Sequence, residues 1–121
     1  MTQITNSKQY DLEDRVLKFA KQTRFFVKTL PKSVSNFEDG KQLIRSSGSI
    51  GANYIEANES LGKKDFIMHL RIAKKEAKET RFWLELIDTK DNQELEKIKN
   101  DLIDETIELM KIFGSIIEKT K

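Results

Sequence analysis

The sequence predicts an all-α fold, an antiparallel up-down-up-down four-helix bundle in one domain over residues 1–121. Three observations carry this expectation. Apolar residues recur at helical spacing, mostly alternating fours and threes, along nearly the whole chain. One proline and five glycines leave few places for a helix to break. Charged residues at 35% and hydrophobic residues at 37% are the balance of helices with one buried stripe and solvated outer faces. At 121 residues the chain is long enough for one core, and it shows neither a strand pattern nor a repeat at fixed period.

The first helix is expected over about residues 11–30. Leu12, Val16, Phe19, Thr23, Phe26 and Leu30 form its seam. Asp11, Glu13 and Asp14 near its start and Arg24 and Lys28 near its end suit the helix dipole. Pro31 stops it.

The second helix is expected over residues 36–59, opened by a capping box, Ser35-Asn36-Phe37-Glu38, and stopped by Gly62. Leu43, Ile50, Tyr54, Ala57 and Leu61 lie on one face, with Ser47 among them. The stretch also holds Ser46, Gly48, Ser49, Gly51 and Ala52 almost side by side. Two glycines inside a helix cost about 1 kcal/mol each relative to alanine. Close approach of a neighbouring helix is the simplest offset, so this element is expected at the centre of the packing.

The third helix is expected over residues 63–88, with Phe66, Leu70, Ala73, Ala77, Thr80, Leu84 and Ile87 facing inward. A second capping box, Asp91-Asn92-Gln93-Glu94, should open the fourth, over residues 92–118. Its row is Leu95, Ile98, Leu102, Thr106, Leu109, Phe113 and Ile116.

The last two helices carry more apolar surface than one core needs. Phe82, Trp83 and Leu86 widen the third, and Ile103, Ile107, Met110 and Ile117 widen the fourth to about half its circumference. Surplus apolar surface marks interfaces. Phe82, Trp83, Leu86, Ile103, Ile107 and Met110 are therefore expected to join copies of the chain, the plainer account being a thick core.

Several chemistries are excluded. Without cysteine there is neither a disulfide nor a thiolate metal site. A di-iron bundle needs two Glu-x-x-His pairs, whereas the one histidine, His69, follows Phe66 at that spacing. Gly48-Ser49-Ile50-Gly51 lacks the strand context and the lysine of a phosphate loop. His69 and Glu76 share a helix edge and are a conceivable proton-transfer pair. A polar layer that fixes register, or pairing of His69 with Asp65, is the plainer account. No nucleophile accompanies them, so no enzyme and no cofactor is expected. The polar N-terminus has no apolar core of a signal peptide, and no run approaches the roughly 20 residues needed to span a bilayer. The expected compartment is the cytoplasm, without membrane contact.

Charge distribution is more informative than the net value of +2. Between Lys63 and Arg81 seven Lys or Arg face three Asp or Glu; between Asp88 and Glu108 the ratio is three to eight. Solvated helix faces account for either run at their simplest. Lys63, Lys64, Arg71, Lys74, Lys78 and Arg81 nevertheless form one stripe on the third helix, and Lys21, Arg24 and Lys28 another on the first. If adjoining and repeated around an axis, they would make a band suited to phosphate backbones, RNA or DNA, without base specificity. Arg45, Asn53 and Glu56 are expected to meet partners on the third helix, among them Glu79. A protein-interaction scaffold using the apolar and acidic surfaces is the alternative.

The chain also resembles a known family, the four-helix bundle proteins related to those encoded in 23S ribosomal RNA intervening sequences. The resemblance lies in Gln42 to Asn53 with Glu56-Ala57, in Lys64-Asp65-Phe66-Ile67, and in Ile72 to Leu86. It implies a four-helix bundle assembling as a ring-like homopentamer, with no catalytic residues. Distant relatives include the accessory variability determinant of diversity-generating retroelements, a basic pentamer that binds nucleic acid and a reverse transcriptase. Most members have no established biochemical role.

Overall fold

The structure, a computed structural model, describes residues 2–121, with side chains from Asp11 onward. Four helices follow one another: α1 Thr2–Lys28, α2 Val34–Asn58, α3 Lys63–Leu86 and α4 Gln93–Thr120. No strand occurs among the described residues. Helix α2 packs on α1 and α3, and α4 packs on α3 and α1, so the four surround one core. Among the described residues the backbones of α1 and α3 stay apart, as do those of α2 and α4, so a diagonal pair meets only through core side chains such as Tyr54 of α2 and Phe113 of α4. Among the described residues no helix is long and apolar enough to cross a membrane.

The seams fill that core. Val16, Phe19, Thr23 and Phe26 of α1, Leu43 and Ile50 of α2, Leu70, Ala73, Ala77, Thr80 and Leu84 of α3, and Thr106, Leu109 and Phe113 of α4 are all buried. The threonines cost little there because each hydroxyl donates to a carbonyl of its own helix: Thr23 to Phe19, Thr106 to Ile103 and Thr80 to Glu76. At one end of α4 the buried residue is Ile117, with Ile116 only partly covered. A strict four-three alternation has period 3.5, and a straight helix of period 3.6 drifts off it until an extra step of four restores the phase.

Helix ends differ from the sequence reading in instructive ways. Helix α1 starts at Thr2, so Asp11, Glu13 and Asp14 lie within it and not in its first turn. It ends at Lys28; Thr29 and Leu30 close two tight turns onto Phe26 and Val27 before Pro31. The N-cap of α2 is Ser33, not Ser35: its Oγ accepts the Asn36 N–H at 3.1 Å. The N-cap of α4 is Asn92, whose Oδ1 accepts the Leu95 N–H at 3.0 Å, one residue beyond the expected Asp91. Asp91 and Lys90 instead take left-handed backbone, with φ of 60° and 52°. Gly62 does not stop α2. It caps the start of α3 in extended backbone, and α2 closes earlier, at Glu59. Leu61 therefore falls between helices, fully exposed, and is not part of the α2 apolar face.

The expected close approach is present at Gly51, and also at Gly40, but not at Gly48. A methyl group at Gly51 would stand 3.2 Å from Val16 Cγ2 and 3.5 Å from Val16 Cβ, and one at Gly40 would stand 3.0 Å from Val27 Cγ1. At Gly48 the neighbour is the Arg24 guanidinium, 3.4 Å away. Helix α1 thus lies against α2 at Gly40 and Gly51, while Gly48 makes room for an arginine. On its other side α2 meets α3, where the Ser46 and Thr80 hydroxyls lie 2.8 Å apart and Ser47, Ala73 and Ala77 are likewise fully buried small residues. The seam between α1 and α4 is thinner and is clasped by Arg15, whose Nε and Nη2 donate to the two Glu105 oxygens at 2.6 and 2.8 Å.

Candidate nucleic-acid interface

The lysines and arginines predicted to contact nucleic acid are all exposed: Lys21, Arg24 and Lys28 on α1, and Lys63, Lys64, Arg71, Lys74, Lys78 and Arg81 on α3. Their long stems lie on outer faces, with the charged ends in water. Arg81 is engaged by Glu85 at 3.0 Å. Arg24 folds back over Gly48 and donates weakly to the Ala20 carbonyl at 3.4 Å. The two stripes do not adjoin within one chain, because α1 and α3 stand at opposite corners.

What the structure does bring together is a basic groove between α3 and α4. Arg71, Lys74, Lys75 and Lys78 line one wall; Met110, Gly114, Ile117, Glu118 and Lys121 line the other, around a volume of about 590 Å³. Gly114 opens it: the Lys74 ammonium stands 3.4 Å from where a side chain there would begin. Glu118 is held below the usual carboxylate range, chiefly by the hydrogen bond from Lys121 and that residue's charge, with Lys74 and Arg71 adding to the effect. The sequence reading omitted Lys75 and Lys121. Lys75 was legible, standing four residues after Arg71 and three before Lys78; Gly114 and Lys121 needed the position of α4.

The polar network around Arg45 forms in part. Arg45 pairs with Glu79 and, at 3.6 Å, with Glu76, and donates to Gln42 at 3.4 Å. Glu79 also accepts from the Trp83 indole at 3.1 Å. Asn53 belongs to a separate cluster: it donates to the Ser49 carbonyl and hydroxyl, and its Oδ1 lies 3.5 Å from His69 Nδ1. Glu56 is exposed and joins neither. It stands on the same edge of α2 as Arg45 but eleven residues further on, and no cation comes within ion-pair distance of it among the described residues. Because Glu76 turns to Arg45 and His69 to Asn53, the two do not form a proton-transfer pair. No group of three or more metal-ligating side chains stands together among the described residues.

The residues expected to join copies divide. Phe82 and Leu86 are exposed, at 56% and 49%. Trp83, Ile103 and Met110 are partly buried against this chain's own core, and Ile107 is half-buried, so the thick core claims part of the surplus. Phe82 packs edge-on against Trp83, with ring centres 5.1 Å apart. Exposed apolar side chains appear instead where the sequence reading did not look, at Leu17 and Phe25 on α1 and Val34, Phe37 and Ile55 on α2. Between α1 and α2, Val27, Leu30, Pro31, Val34, Phe37 and Ile44 line an apolar groove of about 710 Å³.

Comparison with known proteins places these features in a family. The family model described as 23S rRNA-intervening sequence protein matches residues 8–115. A crystal structure of a protein with unknown function from the S23 ribosomal protein family of Bacteroides thetaiotaomicron is similar over 92% of this chain and 98% of that one, at 37% identity and a TM-score of 0.75. No curated protein matches.

Proposed function

The chain belongs to the family of 23S rRNA-intervening sequence proteins, and on that premise we propose that it is a non-enzymatic, cytoplasmic, oligomeric bundle that binds RNA or DNA weakly and without sequence preference. The observation that carries the reading is the state of its cations. Arg71, Lys74, Lys75 and Lys78 are exposed on one wall, and none forms an ion pair among the described residues. Cations left in water are those able to release counterions from a phosphate backbone. Aromatic rings do not line this wall, so recognition is of charge and shape.

The bundle is antiparallel, up-down-up-down, in this reading. Supporting this, partners in successive helices run in opposite order: Val16 with Gly51 and Val27 with Gly40, then Ser46 with Thr80 and Asn53 with His69. Copies assemble as a ring-like homopentamer, with exposed Phe82 and Leu86 in the contact between subunits. Repetition around the ring is what brings α1 stripes near α3 stripes, since one chain keeps them apart.

A second reading, a protein-interaction scaffold that binds no nucleic acid, is favoured by the apolar groove between α1 and α2. Titrating RNA and DNA across a salt series separates the two. The nucleic-acid reading expects affinity that falls steeply and linearly in log–log form, equally for all sequences. Absence of binding at low salt leaves the scaffold.

A further inference from the structure

We infer that the groove between α3 and α4 is a site for a run of consecutive phosphates, and that Glu118 is an internal competitor occupying it. This deepens the nucleic-acid reading and rests on it for the source of the phosphates. Arg71, Lys74, Lys75 and Lys78 are spaced three, one and three residues apart, so their ammonium and guanidinium groups crowd one helix edge over about 10 Å of axis. A length of this order accommodates two or three successive phosphates, whereas a single small anion would leave part of the wall unused. The opposite wall is what makes the stripe a groove. Gly114 presents no side chain toward Lys74, and Met110 and Ile117 give the groove an apolar lining. Repulsion among four neighbouring cations is unfavourable in the free protein and is relieved by a polyanion. The chain already supplies one anion there. Glu118 takes a hydrogen bond from Lys121 at 2.9 Å and feels the charges of Lys74 and Arg71. A bound phosphate therefore displaces, or is repelled by, a carboxylate that belongs to the site.

The inference is separable from diffuse attraction by two substitutions. Gly114→Leu fills the groove without changing net charge, and leucine is a strong helix former, so α4 is preserved. Glu118→Gln removes the competitor; Glu94→Gln, exposed in the first turn of α4, removes the same charge elsewhere. The full chain is titrated at low salt with tripolyphosphate and, separately, with short oligothymidylate and oligouridylate, with amide shifts recorded at residue 114 and at Lys74. With both kinds of probe, Gly114→Leu is expected to weaken binding about tenfold, and Glu118→Gln to tighten it about threefold beyond Glu94→Gln. If tripolyphosphate behaves so while neither oligonucleotide binds, the groove stands and the nucleic-acid reading falls. If the oligonucleotides bind but Gly114→Leu matches the wild type and the two glutamate variants match each other, the groove is overturned and the nucleic-acid reading survives. Absence of binding to every probe overturns both.

Discussion

Asn36 and the Asp88 peptide are joined by two hydrogen bonds, Asn36 Nδ2 to the Asp88 carbonyl at 2.8 Å and the Asp88 N–H to Asn36 Oδ1 at 3.0 Å. The same Nδ2 also donates to the Pro31 carbonyl at 3.0 Å. One buried side chain at the start of α2 thereby ties the α1–α2 link to the α3–α4 link. Asn36→Ala leaves backbone groups at both links without their partner, which costs about 2–3 kcal/mol. Urea unfolding of the variant checks this; a loss under about 0.5 kcal/mol would show that water replaces the amide freely.

Gly48 and Gly51 are expected to respond oppositely to alanine. Alanine returns up to about 1 kcal/mol of helix propensity at either site. At Gly48 the new methyl meets only a movable guanidinium at 3.4 Å, so Gly48→Ala should raise the melting temperature. At Gly51 it meets buried, β-branched Val16, which cannot give way, and Gly51→Ala should fall below the wild type by about 1 kcal/mol. Equal melting temperatures for the two variants would contradict the close approach at Gly51.

Tyr54 ties stability to alkaline pH. It is 5% exposed and packs beside Phe113, with ring centres 6.0 Å apart. Burial is the main cause that pushes its phenol above the ordinary value. A raised folded-state pKa favours the neutral form, so its contribution is whole below the unfolded value of about 10 and is lost as pH rises through the folded one. Denaturant unfolding of wild type and Tyr54→Phe at about pH 9 and about pH 11 isolates this contribution from that of the lysines. Tyr54→Phe should lose less stability over that interval; identical losses would sink the assignment.

Phe82 and Leu86 should govern assembly without governing folding. Both are exposed on α3, so replacing them with serine costs little within one chain, about 0.5 kcal/mol or less. The double variant is expected to lower the native mass while leaving the helical signal intact. An unchanged mass would move the subunit contact to another surface, such as Leu17, Phe25 or Phe37.

Helix number, order and inward rows were legible in the sequence because periodicity is a local property that burial merely enforces. Leu12 to Phe26 and Leu70 to Ile87 needed no knowledge of the neighbours. The caps were harder, since Ser33 and Ser35, or Asp91 and Asn92, offer equivalent chemistry a residue or two apart, and the chain's path into the helix selects between them. Surface assignments were the least legible. Whether Trp83, Ile103 and Met110 cover their own core or a neighbour depends on how far apart the helix axes sit, which glycine and alanine contacts set in three dimensions. The basic groove likewise required knowing that α4, and not α1, lies beside the cations of α3.

The contact between Ser46 and Thr80 has a consequence for how α2 and α3 find each other. Their oxygens are 2.8 Å apart, and the Thr80 hydroxyl is also 2.8 Å from the Glu76 carbonyl, so Ser46 supplies the proton when Thr80 gives its own to that carbonyl. Ser47, Ala73 and Ala77, buried on the same two helices, are small, so shape holds the offset less firmly through them than through Leu43, Ile50, Leu70 or Leu84. A slip of one turn, about 5.4 Å, would carry Thr80 and its Glu76 carbonyl away together and strand the Ser46 hydroxyl against hydrocarbon. The pair thus acts as a detent that adds to packing in fixing one vertical offset between the two helices.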